Sequence, residues 1–184
     1  MIKIGIDISN YVELRDRKTG TWNIAPIQVE VNTYVPSDPD KPHICDTCVK
    51  KYVFAQPWYG RNSELFRVLS GDCDNSIIPG HRGLPHDVSD EVRDKHEQFR
   101  DDEYEDRYFC FHETWYTLAE LEAAAANKKR YPKWDKWVSE DGIKYKEPGV
   151  GVALREYVDS IRHFANICGY YDSADVRVIM WWDW

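Results

Sequence analysis

Two cysteines, Cys45 and Cys48, have the spacing of half a zinc site. A closed tetrahedral site would need two further thiolate or imidazole ligands, and no second closely spaced pair accompanies the first. The sequence offers five other residues for that role: His43, Cys73, His81, Cys110 and His112. Zinc bound by Cys45 and Cys48 is therefore one hypothesis. The alternative is two reduced cysteines in a loop that bind nothing.

Four histidines fall between residues 81 and 112, in a stretch that is also rich in carboxylates. An imidazole beside a carboxylate can act as a general acid or base, or share a metal ion with it. If the protein is an enzyme, the candidate catalytic residues are His112, His81 and Glu113. His112 is the first of these because it lies between an apolar strand pattern and a helix start. The intervals match no known metal-ligand spacing, so surface or structurally bonded histidines are the alternative.

Two arginines, Arg61 and Arg82, lie beside a helix start or a glycine. A guanidinium there can bind an anion together with free backbone N–H groups. Arg61, Arg82 and His112 are thus the candidate residues for an anionic ligand. An ordinary solvated arginine is the alternative for either arginine alone.

The segment 128–146 is basic and aromatic, with seven basic residues against three acidic ones. Lysines beside Trp134 and Trp137 suit a nucleotide or a single strand, through charge and stacking, and they suit a protein interface equally well. We predict an extended loop or insertion at 128–148 and name Trp134 and Trp137 as candidate ligand-binding residues. A loop packed by its own aromatic side chains is the alternative.

The net charge of −8 argues against general nucleic-acid binding, which needs a basic face. Ten acidic and four basic residues lie between Asp87 and Arg107. This run could imitate a phosphate backbone toward a basic groove, or it could simply be a solvated face. No glycine-rich phosphate loop, Gly-x-Ser-x-Gly elbow or His-Glu-x-x-His motif is found, so nothing in the sequence favours an enzyme strongly.

No run of residues approaches the roughly 18 apolar residues that a membrane span requires. Ile2, Ile4, Ile6 and Ile8 alternate with other residues, and the acidic Asp7 lies among them, so this segment does not resemble a signal peptide. We expect the protein to remain in the cytosol, where its five cysteines stay reduced.

The elements that must position these residues can be predicted from periodicity and capping. Alternation predicts strands over 2–14 and 22–34, joined by a turn at 16–20 into an N-terminal hairpin, and Pro26 indicates a bulge or an edge position in the second strand. Helices are predicted to begin at Asn62 or Ser63, at Ser89, at the Thr117–Glu120 capping box and near residue 152. The segment 175–184 alternates again and is apolar on both faces, which is typical of a central strand.

Strands at both ends with helices between them indicate an α+β fold. We predict a single domain over 1–184, in which the N-terminal hairpin and the C-terminal strand share one mainly antiparallel sheet, with about four helices between them.

Several short motifs resemble a family of small uncharacterised proteins encoded by bacteriophages and prophages. They are Arg-Asn-Ser-Glu-Leu-Phe at 61–66, Arg-Gly-Leu-Pro-His-Asp-Val-Ser at 82–89, His-Glu-Thr-Trp-Tyr-Thr-Leu-Ala-Glu-Leu at 112–121, and an aromatic-Trp-Asp end. Glu-Leu-Arg-Asp at 13–16 and Thr-Gly-Thr-Trp at 19–22 resemble the opening of the same family. The resemblance implies a phage accessory protein in the host bacterial cytoplasm, active in counter-defence or host takeover, and it implies no particular activity.

Three functional hypotheses follow. In the first, the protein is not an enzyme and binds a host bacterial protein or a small anionic ligand such as a nucleotide. The second is a small metal-dependent hydrolase or nuclease that uses His81, His112 and nearby carboxylates. The third is a zinc-stabilised structural module built on Cys45 and Cys48.

Overall fold

The computed structural model describes residues 7–36, 45–58, 62–71, 74, 76–78, 81–98, 111–132, 134–138 and 144–183. The chain divides into two compact units, Met1–Ala25 with Gln56–Trp184, and Pro26–Ala55. The strands are β1 Asp7–Arg15, β2 Trp22–Ile24, β3 Gln28–Pro36, β4 Cys45–Phe54, β5 Phe111–Thr117, β6 Trp134–Val138, β7 Lys144–Pro148 and β8 Val176–Asp183. The helices are α1 Ser63–Ser70, α2 Asp90–Gln98, α3 Leu118–Ala126 and α4 Val150–Ile167, and a short 3-10 helix, Ser173–Asp175, precedes β8.

The larger unit is built on a four-stranded antiparallel sheet of order β2-β1-β8-β5. The N-terminal hairpin β1–β2 and the late strand β8 therefore share one sheet, and four helices lie between them in the chain. The predicted α+β fold is confirmed in this respect.

β8 lies at the centre of that sheet and is buried on both faces, as its alternation predicts. Val176, Val178, Met180 and Trp182 belong to the main hydrophobic cluster, together with side chains of α1, α3 and α4. Between them along the strand, Arg177, Ile179 and Trp181 are also buried. The Trp181 ring packs against Tyr11 and against His96 of α2.

Three helices have the N-terminal side-chain caps that the sequence predicted. Asn62 Oδ1 accepts a hydrogen bond from Leu65 N at 2.9 Å, and Ser89 Oγ accepts one from Val92 N at 3.4 Å. Thr117 and Glu120 form the full capping box of α3, in which each side chain accepts from the other residue's backbone N–H. These contacts satisfy backbone donors that a helix leaves free.

The strand predicted over 22–34 is not continuous. β2 ends at Ile24, and the hydrogen bond from Ala25 N to Val12 O, 2.8 Å long, is the last before Pro26. Because proline has no N–H to donate, the pairing with β1 stops there. The chain re-enters strand geometry at Gln28 and pairs with β4, so β3 and β4 form their own antiparallel hairpin in the smaller unit.

The segment predicted as an extended loop at 128–148 contains the antiparallel strand pair β6–β7. Trp134 is opposite Pro148, and Val138 is opposite Lys144. Directly afterwards α4 begins at Val150, where Gly151 lies against the backbone of Tyr131 and Pro132. Regular backbone pairing thus extends through more of this segment than its basic and aromatic composition indicated.

Candidate functional site

A cavity of about 680 Å³ opens at one end of the four-stranded sheet, on the face opposite the main hydrophobic cluster. We call it the arginine–tryptophan pocket. Its lining residues come from β1, β2, β5, β8, the irregular segment before α2 and the 3-10 helix before β8: Arg15, Trp22, Arg82, Leu84, Pro85, His86, Asp87, Trp115, Thr117, Ala174 and Arg177. A volume of this size falls in the range of small-molecule sites.

The register of the strands brings the charged side chains at the base of the pocket together. Glu13 of β1 and Thr117 of β5 are both opposite Arg177 of β8, so the three side chains lie in one row across the sheet and on one face. Arg177 Nε donates to Glu13 Oε2 at 2.7 Å, and the two side chains are 3% and 0% exposed. The backbone N–H of Ser89 donates to the other Glu13 oxygen at 2.7 Å, so both oxygens of this buried carboxylate are hydrogen-bonded.

Arg177 also holds the loop that forms one wall of the pocket. Its Nη1 donates to Asp87 Oδ1 at 2.7 Å and its Nη2 donates to the Asp87 carbonyl at 3.0 Å. Partial burial raises the pKa of Asp87, but the contacts from Arg177 outweigh it, so the pKa lies below its ordinary 3.8. Asp87 is consequently held as a carboxylate engaged with Arg177.

Guanidinium groups and aromatic rings alternate along the pocket. Arg177 Cζ lies 4.2 Å from the centroid of the Trp22 ring and 5.9 Å from that of Trp115. Arg82 Cζ lies 4.5 Å from the centroid of the same Trp115 ring. Arg15 Cζ lies 6.0 Å from the Trp22 centroid, at the outer end of the row. These separations are those of cation–π contacts, which orient both the rings and the charges.

Arg82 is fixed by the start of α3 and is not the ordinary solvated arginine of the alternative hypothesis. Its Nη1 and Nη2 donate to the two oxygens of Glu120, at 3.0 and 2.5 Å, and its side chain is 24% exposed. Burial raises the pKa of Glu120, but hydrogen bonds from Arg82 and Thr117 outweigh it and leave the pKa below its ordinary 4.5. One carboxylate thus caps a helix and anchors a pocket arginine.

Arg15 supplies positive charge at the rim. The charges of Arg82 and Arg177 are balanced by Glu120 and by Glu13 with Asp87. The Arg15 side chain is exposed and its Nε donates to the Gly20 carbonyl at 3.3 Å. Among the residues that the structure describes, Arg15 has no carboxylate partner. The pocket can therefore accept a negatively charged group at Arg15 without first breaking an ion pair.

A second arrangement lies at the start of β5, where the pairing with β8 is irregular. Phe111 is opposite Trp182 and Thr114 is opposite Met180, so His112 and Glu113 are in a bulge. His112 Nδ1 lies 2.8 Å from His81 Nε2, so the structure brings two of the candidate catalytic residues together. Glu113 Oε1 contacts the buried His96 at 3.1 Å. His112 lies within the strand, and not at the junction with α3 where its sequence neighbours had placed it.

The other predicted site residues are Arg61, Trp134, Trp137, Cys45 and Cys48. Arg61 lies outside the described residues, and Trp134 and Trp137 lie in β6. Cys45 and Cys48 lie in the strand β4, not in a loop. Within the described parts of the chain there is no group of three or more His, Cys, Asp and Glu residues placed to hold a metal ion.

Sequence reasoning missed most of the arginine–tryptophan pocket. It named Arg82, but not Trp22, Trp115 or Arg177, which lie on three different strands. The one available signal was Arg177 itself, a charged residue within an otherwise apolar alternating strand. Such a residue is rarely buried without a partner on a neighbouring strand.

No family model, curated protein or solved structure matches this chain. No helix among the described residues is long and apolar enough to cross a membrane.

Proposed function

We propose that the protein binds and sequesters a small anionic ligand of nucleotide type in the arginine–tryptophan pocket. The observation that carries this proposal is a cavity of about 680 Å³ lined by two indoles, with the exposed Arg15 at its rim. A planar base can stack on an indole or a guanidinium, and a phosphate can accept hydrogen bonds from arginine.

The charge balance favours binding over turnover. Asp87 is paired with Arg177, and Glu120 is paired with Arg82, so neither carboxylate stands ready to act as a general base. Rigid, mutually stacked side chains lose little conformational freedom when a ligand enters, which favours affinity. The pocket thus has the properties of a preformed binding site.

The resemblance to phage proteins supplies a setting for this proposal. In the host bacterial cytoplasm, an accessory protein that removes a nucleotide could act in counter-defence or host takeover. The other form of the first hypothesis is that the protein binds and blocks a host protein. It predicts that a pull-down from infected lysate enriches one host protein, and that substitutions in the pocket do not change this enrichment.

Isothermal titration calorimetry with ATP tests the proposal, with adenosine and inorganic triphosphate as separate arms. We expect ATP to bind more tightly than either fragment, because the base and the phosphates use different parts of the pocket. Arg15→Gln should weaken ATP binding by about tenfold or more, the effect of losing one charge-assisted hydrogen bond. Trp115→Leu should weaken adenosine and ATP alike, because it removes a stacking surface.

Arg17→Gln is the matched control, since Arg17 is an exposed arginine in the adjacent turn that pairs with Asp175 outside the pocket. It should bind ATP as the wild type does. The proposal fails if wild-type protein binds no ATP, or if Arg15→Gln and Arg17→Gln reduce its affinity equally.

A further inference from the structure

The His81–His112 pair has a geometry that the pocket does not explain. His81 is exposed, whereas His112 is half-buried with its ring edge-on to Trp182, at a centroid separation of 5.9 Å. His112 has φ of +59°, the only positive φ of a non-glycine residue among those described. A residue other than glycine adopts this conformation only when its surroundings require it, and such positions concentrate at functional sites.

The contact between the two imidazole rings is not linear. Their facing nitrogens, His112 Nδ1 and His81 Nε2, are 2.8 Å apart, while the ring centroids are only 4.4 Å apart and the planes are inclined by 42°. A collinear N–H···N bond of that length would hold the centroids about 5 Å apart. The pair is therefore bent, and these separations fit two lone pairs that converge on one point beside the line joining the nitrogens.

Convergent imidazole nitrogens are the arrangement of a cis pair of metal ligands. Two nitrogens about 2.1 Å from one ion and at a right angle to each other lie about 3.0 Å apart, whereas a tetrahedral angle separates them by about 3.4 Å. The observed 2.8 Å is close to the right-angle value. Right-angled nitrogen ligands suit Cu²⁺ and Ni²⁺, with imidazole as a preferred ligand type.

We propose that His112 Nδ1 and His81 Nε2 form a two-histidine site for a divalent first-row transition-metal ion such as Ni²⁺ or Cu²⁺, with water in the remaining coordination positions. Both nitrogens bind through lone pairs, so the hydrogen that they share in the metal-free pair must move, by exchange with solvent, to the other nitrogen of the ring that carries it. The contacts of the His112 ring with Trp182 and His81 orient it before any ion arrives, which limits the ordering that binding requires.

This site is separate from the arginine–tryptophan pocket, although Arg82 follows His81 directly in the chain. Neither histidine lines the pocket. Glu113, the third residue of the hydrolase hypothesis, contacts His96 of α2, so it is engaged away from the two-histidine site. The proposal is accordingly one of metal binding and does not require hydrolysis.

Calorimetric titration of Ni²⁺ into tag-free, metal-free protein tests the site. We expect one Ni²⁺ per chain in the wild type. The affinity should fall more than tenfold in both His81→Ala and His112→Asn, because the loss of a residue that only supports a metal ligand already costs about tenfold. Asn is chosen at 112 because it tolerates positive φ. Cu²⁺ electron paramagnetic resonance should show two imidazole nitrogens in the wild type and at most one in either variant.

His163→Ala is the matched control, because His163 is an exposed histidine on α4. Its Ni²⁺ affinity should equal that of the wild type. If His112→Asn does not fold, His81→Ala decides alone, since residue 81 is exposed. No Ni²⁺ binding by the wild type, or equal affinity in wild type and His81→Ala, overturns the proposal.

Discussion

Arg177 is 3% exposed, and its positive charge is compatible with that burial only because Glu13 and Asp87 face it. Replacing Arg177 with Met would leave the Glu13 carboxylate, 0% exposed, without its cationic partner. Removing one member of a buried ion pair typically costs 3–5 kcal/mol, so we expect Arg177→Met to lower the free energy of unfolding by about 4 kcal/mol in urea denaturation.

Two comparisons isolate that effect. Arg17→Met breaks an ion pair with Asp175 in which the arginine is 63% exposed, and it should destabilise the protein far less than Arg177→Met, because water screens an exposed pair. The double variant Glu13→Gln with Arg177→Met leaves no uncompensated charge at the fully buried position 13, while the 45% exposed Asp87 stays in contact with water, so it should recover part of the loss. Equal destabilisation by Arg177→Met and Arg17→Met would contradict the buried-pair interpretation.

Glu120 makes a pH-dependent contribution because its pKa is lowered in the folded protein. A carboxyl with a lowered folded pKa stabilises the fold above its unfolded pKa, and that stability is lost as the pH falls through the folded pKa. Glu120→Gln should therefore reduce stability at pH 7 by about 1 kcal/mol, a modest value because the side chain is 36% exposed.

Below pH 4.5 the difference between Glu120→Gln and wild type should shrink, as acid neutralises the wild-type carboxyl. Urea denaturation at pH 7, 5, 4 and 3 measures this change. Glu64→Gln serves as control, since Glu64 is an exposed acid in the first turn of α1. A constant difference at all four pH values would contradict the assigned role of Glu120.

At the scale of elements, α4 depends on one close approach to the chain before β6. A Cβ at Gly151 would overlap the carbonyl oxygens of Tyr131 and Pro132, and Gly151 N already donates to Pro132 O at 3.2 Å. Backbone atoms cannot rotate away as a side chain would. Gly151→Ala should therefore displace the first turn of α4 and cost about 1–3 kcal/mol, the usual range for overpacking, despite the better helix propensity of alanine.

Thermal and urea unfolding measure that loss. Asn166→Ala is a suitable control because Asn166 is an exposed residue on the same helix, and it should change stability by less than about 0.5 kcal/mol. A Gly151→Ala variant as stable as wild type would mean that the helix start can shift freely.

The elements that sequence alone predicted are those defined by local rules. The Thr117–Glu120 capping box, the Asn62 cap and the apolar alternation of β8 need only neighbouring residues to be recognised, and all are found. The break at Pro26 shows the limit of such rules. Alternation continues across it, but the missing N–H ends the pairing, and which strand the chain pairs with next is a non-local choice.

The site was less accessible to sequence reasoning than the fold. Trp22, Trp115 and Arg177 become neighbours only through the strand order β2-β1-β8-β5, which no local pattern encodes. His81 and His112 were grouped only because they lie in one stretch of the sequence. The bulge that contains His112 depends on a register irregularity between β5 and β8 and could not be predicted.

At the scale of the whole molecule, the hairpin β3–β4 forms a compact unit of its own, Pro26–Ala55. Its two ends meet, since Ala55 N donates to Ile27 O at 2.8 Å. Replacing residues 28–54 by a Gly-Ser-Gly linker should therefore leave the larger unit folded, with a melting temperature within about 4 °C of wild type. ATP binding should persist, because the pocket residues all lie in the larger unit.

The same variant tests the zinc hypothesis, because Cys45 and Cys48 belong to the excised hairpin. If those cysteines hold zinc, the full chain purified without added metal should carry nearly one equivalent and the shortened chain none. Less than about 0.1 equivalents in the full chain would exclude a structural zinc site, since such a site is nearly always filled.

The central position of β8 determines when the protein can fold during synthesis. β1 pairs with β8 from Asp7 opposite Asp183 to Leu14 opposite Val176, and β5 reaches β1 only through the same strand. While the ribosome is still adding α4, β1 and β5 have no shared partner, and the Glu13 carboxylate has no guanidinium to meet. We therefore expect the nascent chain to remain without its completed sheet until β8 emerges, and then to fold cooperatively and comparatively slowly, as chains with such distant pairings do.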